Sequence, residues 1–212
     1  MNCLIVAGGV KPKSGIIKEY LEEAHLIIGV DKGCNYLFEE NIQPQYIVGD
    51  FDSSRSDIID KIVNEGVIKH QYKCEKNFTD SEEAFELAIS NGAKRIIFLG
   101  ATGNRFDHTF GNLGLLLKSL NSKVNAEIVD DKNKMFLINE NTIIKKDNKY
   151  KYVSFLAYNC TINEFSIKGA KYDLDKYILT VGDSRTVSNE FINDEINLEV
   201  SNGNILVIYS KD

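Results

Sequence analysis

The chain has 212 residues, 25 Lys and Arg against 31 Asp and Glu for a net charge of −6, 43% hydrophobic residues, and only 2 Pro beside 15 Gly. That length supports one large domain or two small ones with a full core, and the composition excludes collagen-like and extensively disordered chains. The acidic balance leaves no basic excess to neutralise a phosphate backbone, so nucleic acid is not an expected partner, although an acidic protein can hold a polyphosphate through metal ions.

Residues 3–7 form a short apolar run closed by Gly8 and Gly9, which predicts a buried strand and a tight turn. Residues 16–24 place Ile17, Tyr20, Leu21 and Ala24 on one face and predict a helix. Residues 26–30 predict a second strand, stopped by Asp31-Lys32-Gly33, and residues 46–48 a third, followed at once by Gly49-Asp50-Phe51-Asp52-Ser53. A helix over 56–64 and a strand over 67–72 come next. Thr79 and Glu82 have capping-box spacing and open a helix that turns Ala84, Phe85, Leu87, Ala88 and Ile89 inward and ends at Asn91-Gly92. A strand over 95–99, a loop over 100–107, a helix over 108–120 with Leu113, Leu116, Leu117 and Leu120 inward, and a strand over 125–129 complete an alternating strand and helix pattern. This predicts a mostly parallel sheet with helices on both faces.

Beyond about residue 131 helical periodicity disappears. Short β-branched or aromatic runs follow at 136–138, 142–144, 152–157, 161–167, 177–181, 196–200 and 205–209, punctuated by Asn, Gly and Asp. They predict an antiparallel sandwich or barrel. The expected organisation is thus an α/β domain over 1–130 followed by an antiparallel β-sandwich domain over 131–212.

Cys3, Cys34, Cys74 and Cys160 lack C-x-x-C spacing, and His25, His70 and His108 form no H-E-x-x-H, so reduced thiols are expected rather than a zinc site or disulfides. The first residues lack a cationic segment before their short apolar run, and no stretch approaches the roughly 18 apolar residues that cross a bilayer. A cytoplasmic protein with no membrane partner is expected.

In open parallel sheets ligands bind beyond the carboxyl ends of the strands. Asp31, Asp50, Asp52, Asp80 and Asp107 all fall after predicted strands or in the loops that follow them. Five carboxylates on one rim repel one another unless a cation sits between them, and a hard divalent ion with oxygen ligands is the simplest solution. In an extended segment Asp50 and Asp52 would point the same way, with Phe51 buried on the other side. Asp80 alone is equally explained by the dipole of the helix it opens. In the string from Gly100 to His108, glycines let backbone amides approach a phosphate, the helix start offers unpaired N–H groups, and Arg105 can grip phosphate oxygens. Neither a Walker A loop nor G-x-G-x-x-G occurs. Together these features point to Mg²⁺-dependent transfer of a phosphate-containing group.

Asp31-Lys32-Gly33, Gly49 to Ser53, Lys76-Asn77-Phe78-Thr79-Asp80, Gly103 to His108 and Ser188-Asn189-Glu190-Phe191 occur in this order. The pattern resembles thiamine pyrophosphokinases over nearly the whole chain. The resemblance implies transfer of pyrophosphate from ATP to the hydroxyethyl group of thiamine, giving thiamine diphosphate and AMP. It implies Mg²⁺ held by Asp50, Asp52 and Asp80, with Asp52, Asp80 and Asp107 catalytic, and Asp107 orienting or deprotonating the hydroxyl. It also implies nucleotide contacts from Asp31, Gly33, Thr79, Arg105, His108 and Asn112, thiamine contacts from Ser188 and Asn189, and a homodimer whose thiamine pocket is completed across the subunit interface. Asn77 stands where many bacterial members carry Asp, which removes a charge beside the site. The same acid pattern would also serve a pterin alcohol as acceptor, and a binding protein for thiamine or nucleotide without catalysis is the non-enzymatic alternative.

Overall fold

Among the described residues, six short runs, most of them apolar, form the parallel strands of the first of two units, Met1–Asp131 and Lys132–Asp212, into which the chain divides. The computed structural model describes residues 1–52, 54–71 and 78–212. Ser53, Cys74, Lys76 and Asn77, named above, and position 72 at the end of the strand expected over 67–72 lie outside the described residues.

In the first unit the strands are β1 (Asn2–Val6), β2 (Leu26–Val30), β3 (Tyr46–Gly49), β4 (Ile68–Gln71), β5 (Arg95–Leu99) and β6 (Asn125–Val129), in the order β4-β3-β2-β1-β5-β6 and all parallel. The chain winds outward from β1 to β4, then crosses back to β5 and β6, so the strand order reverses between β1 and β5. Side chains alternate faces along each strand. Leu4, Val6, Ile27, Ile97, Leu99 and Val129 pack on Ile17 of α1 (Ser14–Leu21) and on Tyr36 and Leu37 of α2 (Gly33–Glu39). The intervening Cys3, Ile5, Ile28, Ile96 and Phe98 are equally buried and face the other way. There α4 (Asp80–Ser90), which buries Ala84, Phe85 and Ala88, packs along β1, β2 and β3, and α5 (Phe106–Asn121) packs on α4 and β6. The remaining helix, α3 (Ser56–Asn64), seats Ile58, Ile59 and Ile62 against Ile47 and Cys34.

Four local expectations are corrected. Asp31-Lys32-Gly33 does not simply stop β2, because Gly33 opens α2 at once. The helix tolerates glycine there for a packing reason: a Cβ at Gly33 would lie 1.9 Å from the Val6 carbonyl oxygen. Helix α5 begins two residues earlier than expected, so Asp107 sits in its first turn, where the helix dipole favours an acid, and not in the preceding loop. Its buried stripe is Asn112, Leu115, Leu116 and Ser119, one residue back from the predicted leucines. The polar pair is accommodated because Asn112 Nδ2 donates to the Ala101 carbonyl at 2.7 Å and Ser119 Oγ to the Leu116 carbonyl at 2.8 Å. At the start of α4 the Thr79 hydroxyl accepts from the Glu82 amide at 3.2 Å, while the Glu82 carboxylate engages Lys118 Nζ.

The second unit is two antiparallel sheets. One has the order β7-β13-β9 and the other β11-β10-β12-β8, with β7 (Asn133–Ile138), β8 (Thr142–Lys145), β9 (Tyr152–Tyr158), β10 (Ile162–Lys168), β11 (Leu174–Leu179), β12 (Glu195–Val200) and β13 (Asn204–Ser210). Val153, Phe155, Ile205 and Val207 from the first meet Ile162, Phe165, Ile196 and Leu198 from the second in one core. Phe155 and Phe165 meet edge to face at 6.3 Å. Strand β11 ends before Val181, which is exposed at a turn where the Asp183 amide bonds the Thr180 carbonyl. Among the described residues no helix is long and apolar enough to cross a membrane.

Candidate active site

The reversal of strand order between β1 and β5 leaves two loops side by side at the carboxyl edge of the sheet, the position at which open α/β sheets bind ligands. The loop after β1 and the loop after β5 are zipped together. The Ala7 amide bonds the Leu99 carbonyl at 2.8 Å, Gly9 bonds Gly100 at 2.8 Å and Val10 bonds Thr102 at 2.9 Å. Three side-chain bonds tie this pair to its surroundings: Tyr36 OH donates to the Gly9 carbonyl at 2.8 Å, Thr102 Oγ1 to Asp130 Oδ2 at 3.0 Å, and Asn112 Nδ2 to the Ala101 carbonyl. A cavity of about 560 Å³ opens over the loops, walled by them, by Asp31, by Thr79, Asp80 and Ser81 at the start of α4, and by Arg105, His108 and Asn112 around the start of α5. Two helix N-termini and a glycine-bearing loop therefore face one space, an arrangement suited to anionic oxygens.

Acids gather at and beside this space. Asp31 leaves β2 with φ +46°, its amide bonding the Val48 carbonyl of the neighbouring strand at 3.0 Å. Burial, then the negative charges of Asp80 and Asp50, push its carboxyl up to about 7, against the stabilising amide of Phe51. Its Oδ1 is buried without a hydrogen-bond partner. The segment after β3 is a turn and not the extended run expected from sequence: Phe51 has φ +64°, the Asp52 amide bonds Asp50 Oδ1 at 3.0 Å, and the Ser54 amide bonds the Phe51 carbonyl at 2.9 Å. Phe51 still anchors it, packing against the α3 core beneath Lys69 Nζ, which lies 5.0 Å from its ring. Asp50 is half-buried and Asp52 exposed.

Asp31, Asp50 and Asp80 are thus brought within electrostatic reach of one another, with Asp52 attached through Asp50. Asp107 is engaged elsewhere. Its carboxylate accepts from Arg105 Nη2 at 2.5 Å and Nε at 3.3 Å, and the Arg105 guanidinium holds it below the usual carboxylate range. Both side chains are mostly exposed. Gly33 is buried against β1, so its backbone fit explains it without a ligand. Ser188 and Asn189 belong to the second unit, where Ser188 is exposed with φ +57° and Asn189 is buried.

Among the described residues no three His, Cys, Asp or Glu groups already stand in metal-holding geometry. The donor set nonetheless fits a hard cation. The orphaned Asp31 oxygen, in a group whose neighbours are carboxylates, is relieved by positive charge, and oxygen donors suit Mg²⁺. Tyr36 and Asp130 carry no motif that marks them in the sequence; the signal for Tyr36 is its place on α2, a helix that its opening glycine conceals.

Residues 17–128 match the family model described as Thiamin pyrophosphokinase, catalytic domain, and residues 140–205 that described as Thiamin pyrophosphokinase, vitamin B1 binding domain. The chain is 34% identical over 210 residues to the thiamine pyrophosphokinase of Bacillus subtilis (strain 168), covering 98% of each chain. The crystal structure of thiamine pyrophosphokinase from Bacillus subtilis superposes with a TM-score of 0.91 at 30% identity over 100% of both chains. That of thiamin pyrophosphokinase from Geobacillus thermodenitrificans gives 0.88 at 32% identity, covering 100% of this chain and 98% of the other.

Proposed function

The chain belongs to the thiamin pyrophosphokinase family, and from that premise we propose that it transfers pyrophosphate from ATP to the hydroxyethyl group of thiamine. The products are thiamine diphosphate and AMP. The hydroxyl oxygen forms a bond to the β-phosphorus and gives up its proton to solvent, the bond from that phosphorus to the α–β bridging oxygen breaks, and AMP leaves with the electron pair. The observation that carries this reading is the cavity where Asp31 and Asp80 face the loop from Gly100 to Arg105 at the β1–β5 reversal. A triphosphate placed there meets carboxylates and N–H donors together.

In this reading the first unit binds nucleotide and metal. Asp50, Asp52 and Asp80 hold Mg²⁺, and Asp31 adds its orphaned oxygen to them. The bound ion supplies positive charge that screens the triphosphate. Arg105 and the amides at the start of α5 steady charge on the transferring group, with His108 and Thr79 lining the nucleotide side. Asp107, held ionised by Arg105, accepts a hydrogen bond from the attacking hydroxyl and orients it. The second unit contributes Ser188 to thiamine and takes part in a homodimer, and the protein works in the cytoplasm.

Phosphorus NMR of the protein with ATP, thiamine and Mg²⁺ tests the reaction. AMP and thiamine diphosphate are expected. ADP in place of AMP would mean ordinary phosphoryl transfer, and an unchanged spectrum would leave a binding protein.

A further inference from the structure

Asn189 is 2% exposed, although its neighbour Ser188 faces solvent. Its Oδ1 accepts from the backbone amides of Tyr172 at 3.0 Å and Glu190 at 2.9 Å, and its Nδ2 donates to the Tyr172 carbonyl at 2.8 Å. Both acceptor sites of the amide and one of its two protons are therefore committed within the unit. The side chain acts as an inserted peptide group, pairing with both main-chain atoms of Tyr172 as a strand neighbour would. Backbone pairs frame it. Asn189 and Val153 exchange two bonds of 2.9 Å, and the Lys171 amide bonds the Glu190 carbonyl at 2.9 Å. Beside it the Ser188 amide bonds the buried Ser154 Oγ at 2.9 Å. Ser188 sits at φ +57°, a sparsely populated conformation for a residue with a Cβ that persists only where its surroundings impose it.

We infer that Asn189 is a positioning residue of the thiamine subsite: it touches no substrate and clamps Tyr172 to Glu190 so that the Ser188 hydroxyl is presented in a fixed direction. The inference rests on the reading of the second unit as the thiamine-binding one. It differs from a direct contact because a buried amide with its acceptors filled has little left to offer a ligand.

Steady-state kinetics on the wild type, Asn189→Ala, Asn189→Asp, Ser188→Ala and the Ser188→Ala/Asn189→Ala double variant test it. Asn189→Ala is expected to raise KM for thiamine about tenfold while KM for ATP moves less than about twofold. Asn189→Asp keeps the acceptor oxygen but sets a carboxylate oxygen against the Tyr172 carbonyl in place of the Nδ2 donor, so it is expected to raise KM for thiamine at least as much as Asn189→Ala. In the Ser188→Ala background, Asn189→Ala is expected to add less than about twofold, because the clamp acts through Ser188. Multiplicative effects in the double variant would overturn the inference in favour of an independent contact. A lowered Tm with unchanged thiamine KM would reduce Asn189 to a structural role. If Asn189→Ala does not fold, Ser154→Ala removes the other anchor of the same loop, and an unchanged thiamine KM there and in Asn189→Asp would also overturn it. A wild type that makes no thiamine diphosphate brings down the functional reading and this inference together. A wild type that turns over with an Asn189-insensitive KM brings down the inference alone.

Discussion

A Cβ at Gly49 would lie 1.9 Å from Oδ1 of Asp31. The two residues end neighbouring parallel strands, β3 and β2, where Val30 is registered with Val48, so they meet just past the sheet edge. Gly49 also has φ +143°, outside the range that side-chain-bearing residues favour. Gly49→Ala is therefore expected to push the Asp31 carboxylate away from Asp50 and Asp80. It should lower stability by about 1–3 kcal/mol and remove turnover. Chemical denaturation and AMP production check this, and a stable, active variant would show that the close approach is not needed.

The Asp31 carboxyl, pushed up to about 7 by burial and by Asp80 and Asp50, makes the metal-free fold pH-sensitive. The folded state holds a proton there that the unfolded state releases near the ordinary value of 3.8. Stability is thus fully present below about pH 4 and declines as pH rises towards and through 7. Asp31→Asn removes the charge that causes the decline. In the absence of divalent cations the variant is expected to be more stable than wild type at pH 8, on the order of 2 kcal/mol after allowing for the solvent that reaches the site. The advantage should shrink towards pH 5. Mg²⁺ is expected to stabilise wild type at pH 8 more than the variant. Urea midpoints across pH, with and without the ion, read all three.

The strands and most helices were legible because burial writes itself into apolar runs. Strands β2, β5 and β6 and helix α3 have the bounds that their sequences suggest, since each is one uninterrupted apolar or amphipathic segment. What escaped depends on contacts between distant residues. Gly33 reads as a strand stop until the Val6 carbonyl 1.9 Å from its missing Cβ explains why a helix opens there. Asp50 and Asp52 read as an extended pair until Phe51, at φ +64°, turns them. Asp107 reads as a fifth acid on the rim, yet Arg105, two residues before it, takes its carboxylate. Local pattern placed the acids near one edge, and only the fold distinguishes Asp31, half-buried with an orphaned Oδ1, from Asp107, exposed and paired.

The Tyr36 hydroxyl reaches from α2 to the Gly9 carbonyl at 2.8 Å, and the residue is 6% exposed. Tyr36→Phe keeps the packing and leaves that carbonyl without its donor. The expected cost is about 1 kcal/mol of stability. Because Gly9 belongs to the zipped loops under the cavity, KM for ATP should rise while KM for thiamine holds. Equal shifts in both would place the effect on the fold in general.

Arg105 and Asp107 pair in the open, so solvent screening leaves their attraction little part in stability. Arg105→Ala is expected to leave Tm unchanged and to lower kcat/KM for ATP, because the guanidinium then no longer meets the triphosphate. A fall in Tm without a kinetic effect would assign the pair to the fold.

Asp52 is exposed in the turn after β3, where its amide bonds Asp50 Oδ1. Asp52→Ala keeps that amide, so the turn and the Phe51 anchor should survive and the protein should fold. If the carboxylate is a ligand of Mg²⁺, its removal leaves the triphosphate unscreened at one point of closest approach, and turnover should fall more than about a hundredfold. The dependence of rate on Mg²⁺ concentration separates this from a nucleotide contact. A lost ligand shifts the half-saturating Mg²⁺ upward, and high Mg²⁺ recovers part of the rate. A lost nucleotide contact raises KM for ATP at every Mg²⁺ concentration. A folded Asp52→Ala protein with full activity would remove Asp52 from the site and leave Asp31, Asp50 and Asp80 as the carboxylates that hold the ion.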